Sequence, residues 1–236
     1  MDVKENLIVV KNNIKEAQKT CGREAEDVKL MAVSKFHTID EIRRALEGGQ
    51  LLFGENRVQE ANEKFSILKE ENPQIKLHII GQLQCNKVKT AVKIADCIQS
   101  VDRPELMNEI EKQCSKIEKK IEVLFEFHTG EESKSGFETE EELISVIEDC
   151  ANGKYPHIIP KGFMTMAPFT DDESLIRKSF VTLRNLSDKI KKMYPQFELN
   201  ELSMGMSADY KIAIQEGATL VRVGTAIFGE RDYTKK

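Results

Sequence analysis

The first periodic signal along the chain is helical. Leu7, Val10, Ile14, Ala17 and Cys21 recur at intervals of three and four, which lays one apolar stripe along a helix. Asp2 and Glu5 precede the stripe at the spacing of a capping pair, and Gly22 marks its end. From residue 30 the pattern changes. Short runs rich in β-branched and apolar residues occupy 30–34, 51–54, 77–81, 97–101, 121–127, 158–164, 201–203 and 220–224, and each is read as a strand. Segments of helical period separate them. Thr38 with Glu41 and Thr139 with Glu142 have capping-box spacing, and Asp171 and Asp172 open a long helix that Pro195 closes. Gly48, Gly153 and Gly217 stand where helices should stop.

Strands alternating with helices predict a parallel sheet, and eight strands are the number that closes a barrel. Periodicity alone also accommodates an open, doubly wound sheet. The expectation adopted is a single (β/α)8 TIM barrel forming one domain over 1–236, with an extra N-terminal helix ahead of the first strand. The length of 236 residues suits that fold, and no linker or compositional shift divides the chain.

Composition narrows the function classes. Apolar residues make up 40% and charged residues 32%, an ordinary soluble balance. Thirty-five basic against 40 acidic side chains leave a formal charge of −5, which argues against nucleic acid or an anionic membrane as partner. No apolar run approaches the ~20 residues that span a bilayer, and the N-terminus lacks a signal-peptide pattern. The cysteines, Cys21, Cys85, Cys97, Cys114 and Cys150, are odd in number and include no CxxC pair, so neither a disulfide framework nor a metal site is expected. A cytoplasmic location follows as an expectation.

Three stretches carry candidate chemistry. In Met31-Ala32-Val33-Ser34-Lys35, alternation puts Met31, Val33 and Lys35 on one face of a strand. If that face is the barrel interior, Lys35 stands at the C-terminal mouth, where active sites of this fold lie. A partly desolvated amine there is nucleophilic toward an aldehyde; the plainer reading is a strand-end lysine reaching water. Around Ser207, a strand, a glycine turn and a helix start follow one another, which offers N–H groups to an anion or simply caps the helix. In the last strand, Leu220, Arg222 and Gly224 share the inward face. Arg222 then needs buried acceptors, in a ligand or in a core carboxylate. Gly224 admits a close backbone approach, and Thr225 adds a hydroxyl and an N–H. The recurrent phosphate site of the fold uses the loops after strands seven and eight.

These stretches belong to an ordered series. It comprises Ala32-Val33-Ser34-Lys35, Phe53-Gly54-Glu55-Asn56, His78-Ile79-Ile80-Gly81-Gln82-Leu83-Gln84 with Asn86-Lys87, and Ser100-Val101-Asp102. Lys134-Ser135-Gly136-Phe137, Gly162-Phe163-Met164-Thr165-Met166-Ala167-Pro168, Ser203-Met204-Gly205-Met206-Ser207 and Arg222-Val223-Gly224-Thr225-Ala226-Ile227-Phe228-Gly229 complete it. With these motifs the chain resembles the pyridoxal phosphate homeostasis protein family, whose barrel is similar to the N-terminal domain of alanine racemase. The resemblance implies pyridoxal 5'-phosphate (PLP) as cofactor, held as a Schiff base on Lys35. It implies that Ser207, Gly224 and Thr225 hold the phosphate, that Arg222 faces the pyridine nitrogen, and that Asn56 lies beside the ring. Phe127-His128-Thr129-Gly130 departs from the pattern, where the family usually has Asn.

The resemblance also implies that a racemase needs a second domain and a partner's Tyr as second base. The chain stops soon after the eighth strand, and its tyrosines, Tyr155, Tyr194, Tyr210 and Tyr233, fall in connections, a helix and the tail. The expectation is therefore a monomeric PLP-binding homeostasis protein with no catalytic residue, which buffers PLP or delivers it to PLP-dependent apoenzymes. Two alternatives stay open at this level: a PLP-dependent amino-acid racemase of low activity, and a Schiff-base aldolase acting on a sugar phosphate. His78 is read as a hydrogen-bonded barrel residue, Met31, Met164, Met166, Met204 and Met206 as core and pocket fillers, and 109–122 as a solvated helix face.

Overall fold

Eight parallel strands pair in chain order and close into a barrel, the last strand hydrogen-bonding to the first. The computed structural model describes residues 2–24, 27–130 and 135–230. The strands are β1 (Lys29–Val33), β2 (Leu52–Glu55), β3 (Lys76–Ile79), β4 (Cys97–Val101), β5 (Ile121–Glu126), β6 (Ile158–Met164), β7 (Glu201–Ser203) and β8 (Leu220–Val223). The helices are α1 (Val3–Thr20), α2 (Ile39–Glu47), α3 (Val58–Glu71), α4 (Val88–Ile94), α5 (Pro104–Ser115), α6 (Glu140–Ala151), α7 (Glu173–Met193), α8 (Tyr210–Gln215) and α9 (Thr225–Phe228). The closed barrel and the extra helix α1 are those the alternation predicted, and the open sheet is set aside. Strand boundaries differ from the predicted ones by one or two residues at several ends.

Local signals act where they were read. Asp2 and Glu5 form a capping box at α1, Thr38 and Glu41 another at α2, and Asp172 caps α7. Thr139 accepts from the Glu142 amide at the start of α6. The apolar stripe of α1 is buried against α2, α8 and α9. The main core lies between barrel and helices, where Phe53 meets Phe65 at 5.8 Å and Phe125 meets Phe163 at 6.2 Å. Met31, Met164 and Met204 are fully buried.

Two expectations are corrected. The charge-dense 109–122 segment is not one helix. α5 ends at Ser115, Glu118 takes a left-handed φ of 51°, and Ile121 enters the barrel wall. Ser207 is not an N-cap: α8 begins three residues later, after Asp209. The carboxylate of Asp209 accepts from the Met206 amide at 2.5 Å and the Met206 carbonyl accepts from Tyr210 at 2.8 Å, so a turn over 206–209 intervenes. Lys134 and Tyr233 lie outside the described residues. No helix among the described residues is long and apolar enough to cross a membrane.

Candidate functional site at the barrel mouth

A cavity of about 440 Å³ opens at the C-terminal ends of the strands, and Lys35, Asn56, Ser207, Arg222, Gly224 and Thr225 all line it. Alternation explains the convergence. On β1 and just beyond, Ala32 and Ser34 point to the helices while Val33 and Lys35 reach the cavity. On β2, Phe53 and Glu55 face α3, which turns Asn56 inward.

The half-buried Lys35 sits on a braced corner. Phe36, the next residue, has φ 68°, a left-handed conformation that costs a non-glycine residue about 1–2 kcal/mol. Its amide donates to Glu60 Oε1 at 2.6 Å, and the Arg57 guanidinium lies 5.2 Å from its ring centre. Beneath this corner, the buried Lys64 donates to the Ser34 carbonyl at 2.9 Å and pairs with Glu55 at 2.5 Å and Glu60 at 2.9 Å. Ser34 Oγ donates to Glu55 at 2.7 Å. Burial pushes the Glu55 carboxyl up, against the pull of Lys64. Sequence reasoning missed this group, although Lys64 interrupts the apolar stripe Val58, Ala61, Phe65, Leu68 at a buried position.

Asn56 is held from the neighbouring strand. A Cβ on Gly81 would fall 2.5 Å from the Asn56 carbonyl oxygen, so only glycine admits this approach. Ser100 Oγ secures Gly81 by donating to its carbonyl at 2.7 Å. Asn56 Oδ1 is buried and has no hydrogen-bond partner among the described residues.

Arg222 is 4% exposed. Its Nη1 donates to the Ser203 carbonyl at 2.7 Å and to Ser203 Oγ at 2.8 Å, and its Nη2 donates to the Thr165 carbonyl at 2.8 Å. The acceptors are thus backbone and hydroxyl oxygens rather than the core carboxylate considered from sequence. Burial pulls its pKa down to about 10, so the guanidinium keeps its proton at neutral pH. Ser207 and Gly224 bring the last two loops together, the Gly224 amide donating to Ser207 Oγ at 3.4 Å. Thr225 opens α9, and the first amides of a helix have no partner within it. A Cβ on Gly224 would sit 3.1 Å from the Val33 carbonyl, so the absent side chain also lets the end of β8 approach β1.

His128 does not line the cavity; its amide donates to the Phe137 carbonyl at 3.0 Å. His78 is a hydrogen-bonded barrel residue as expected, its Nδ1 2.9 Å from Gln99 Nε2. Glu126, at the end of β5, was not singled out from sequence. It is buried, accepts from Ser135 Oγ at 2.8 Å, and desolvation raises its pKa to about 7.

A closed (β/α)8 barrel whose mouth gathers an amine from just after its first strand and small hydroxyl and glycine residues from its last two loops defines a class of ligand-binding barrels. A family model described as alanine racemase, N-terminal domain, matches residues 6–232. The pyridoxal phosphate homeostasis protein of Pasteurella multocida is 36% identical over 236 residues, covering all of both chains. That of Aquifex aeolicus is 39% identical over 234 residues, covering 99% of this chain and 100% of its own. This chain belongs to the pyridoxal phosphate homeostasis protein family. Among solved structures, PipY of Synechococcus elongatus, determined with PLP bound, superposes with a TM-score of 0.85 at 30% identity over 97% of this chain and 100% of that one. The alanine racemase of Clostridium difficile superposes with a TM-score of 0.74 at 21% identity over 56% of its length, a likeness of fold alone.

Proposed function

We propose that this chain binds PLP in the mouth of its barrel and acts as a carrier, keeping the cofactor out of solution and passing it to apoenzymes. The observation that carries the reading is the convergence of Lys35, Asn56, Ser207, Arg222, Gly224 and Thr225 on one cavity from both ends of the chain.

The residues present fit the group. PLP, when bound, supplies an aldehyde that condenses with a primary amine, beside a phosphate and a ring nitrogen. Among the described residues, Lys35 is the lysine that lines the cavity. Ser207 and Thr225 offer hydroxyls, and the start of α9 offers amides, to the phosphate. Arg222 can only donate, which suits a ring nitrogen that accepts. The orphan Oδ1 of Asn56 is the kind of buried polar atom a ligand satisfies.

Two features support storage over turnover. With Arg222 facing the ring nitrogen of bound PLP, the charged guanidinium would disfavour a proton there and make the ring a poorer electron sink, which would slow carbanion chemistry without forbidding it. Racemisation also needs a proton donor on each face of a carbanion. Tyr155 donates to Asn108 at 3.1 Å, Tyr194 ends α7 and Tyr210 starts α8, and none of the three lines the cavity. His37 does line it, but stacks on Phe228 at 4.7 Å and bonds Glu41 at 3.2 Å.

The test is the visible spectrum of the protein mixed with PLP, wild type beside Lys35→Ala. Wild type should turn yellow, the band should vanish on borohydride reduction, and mass spectrometry should find the adduct on Lys35. An undiminished band in Lys35→Ala, or an adduct elsewhere, would overturn the reading.

A further inference from the structure

We infer that Gln99 is a positioning residue for Arg222, acting through Ser203 across the inside of the barrel. Gln99 and Ser203 are fully buried. They belong to a chain of side chains that runs from β3 through β4 and β7 to β8, with distances of 2.9 Å (His78–Gln99), 2.7 Å (Gln99–Ser203) and 2.8 Å (Ser203–Arg222).

The direction of each bond follows from donor chemistry. Arg222 has donors only, so Ser203 Oγ accepts from Nη1. Ser203 has one proton left to give, and Gln99 Oε1 takes it. The amide NH2 of Gln99 therefore points at His78 Nδ1, which must be bare, and the imidazole proton sits on Nε2. Turning the Gln99 amide over would leave the buried Ser203 hydroxyl without that acceptor and set two donors against each other, a costly arrangement. Burial keeps His78 neutral, with its pKa lowered to about 4, as the bare Nδ1 requires.

The consequence concerns the guanidinium. The carbonyls of Ser203 and Thr165 hold two of its corners, and both belong to a backbone that no side-chain change removes. The Ser203 hydroxyl is the one acceptor whose direction depends on another side chain, and Gln99 sets it. The effect of this positioning on PLP rests on the function proposed above; the orientation of Arg222 itself does not.

The test uses the whole chain in two variants, with and without PLP. In Gln99→Met, which conserves size but offers no acceptor, the Arg222 Nε–H resonance of the ligand-free protein should move. The Kd for PLP should rise about fivefold, the loss expected for one neutral buried hydrogen bond, and the visible band of the bound cofactor should shift. In Gln99→Glu, which keeps the acceptor toward Ser203, the resonance and the affinity should stay near wild type, within about twofold, while His78 takes up a proton to face the new carboxylate. Should Gln99→Met fail to fold, Ser203→Ala must show the same losses. An unmoved Arg222 resonance with unchanged affinity in whichever of these two folds would overturn the inference. If wild type took up no PLP, the proposed function would fail, and the ligand-free resonance would still decide this point.

Discussion

Met31 on β1 and Arg222 on β8 are direct partners across the seam that closes the barrel. Both side chains point inward, and two residues further along β8 stands Gly224, while four beyond Met31 stands Lys35. Parallel pairing at this seam is therefore what brings an amine from the start of the chain to the same cavity as a guanidinium, Gly224 and Thr225 from its end.

On the function proposed above Ser207 and Thr225 hold the phosphate, so their removal should discriminate between ligands. Ser207→Ala and Thr225→Ala should each weaken PLP binding by about 1 kcal/mol, roughly fivefold. Pyridoxal, which lacks the phosphate, should bind both variants as it binds wild type. Titration with the two vitamers checks this, and equal losses for both would place the phosphate elsewhere.

Gly81 is where the loop after β3 passes the backbone of Asn56. Gly81→Ala would put a methyl 2.5 Å from the Asn56 carbonyl, and relief of that overlap should cost about 1–3 kcal/mol of stability. Asn56 must shift with it, so PLP affinity should fall too. Urea unfolding and PLP titration of the same sample test the pair of effects; wild-type values in both would show the contact to be slack.

Lys64 balances a carboxylate that has no access to water, since Glu55 is 0% exposed. Lys64→Met leaves that charge buried alone and should destabilise the protein by about 3–5 kcal/mol. Adding Glu55→Gln should recover much of the loss, because the uncompensated charge is gone. A double-mutant cycle by chemical denaturation reads the coupling, and additive losses would contradict it.

Glu126 makes stability depend on pH. Its pKa is about 7 in the fold, raised first by desolvation from a usual value of 4.5. Between those values the folded chain binds more protons than the unfolded one, so this group's contribution to stability falls as pH rises from 4.5 to 7. The total is at most about 3 kcal/mol. His78 works the other way: its pKa of about 4 means stability falls as pH drops from 6.5 toward 4. The readout is thus a difference curve. Glu126→Gln minus wild type should grow more stable from pH 4.5 to 7 and then level off, and a flat difference would refute the raised pKa.

Much of the architecture was legible because its causes are local. The capping boxes at Thr38 and Asp2 depend on residues three apart. The inward face of Met31, Val33 and Lys35, and that of Leu220, Arg222 and Gly224, follow from alternation along single strands. Where a local signal misled, a longer-range contact had won. Ser207 has the chemistry of a helix cap, yet Asp209 closes the turn and Ser207 instead meets the Gly224 amide of the next loop.

By itself the sequence determined the period of each element, which residues of a strand share a face, and hence that an amine and a guanidinium would point into the same interior. The tertiary structure decided what they meet there. Ser203 and Gln99 are 104 residues apart in the chain, and Lys64 is 30 from the Ser34 carbonyl it holds. No periodicity encodes such pairs, because a buried donor takes whichever acceptor the closed barrel brings within about 3 Å.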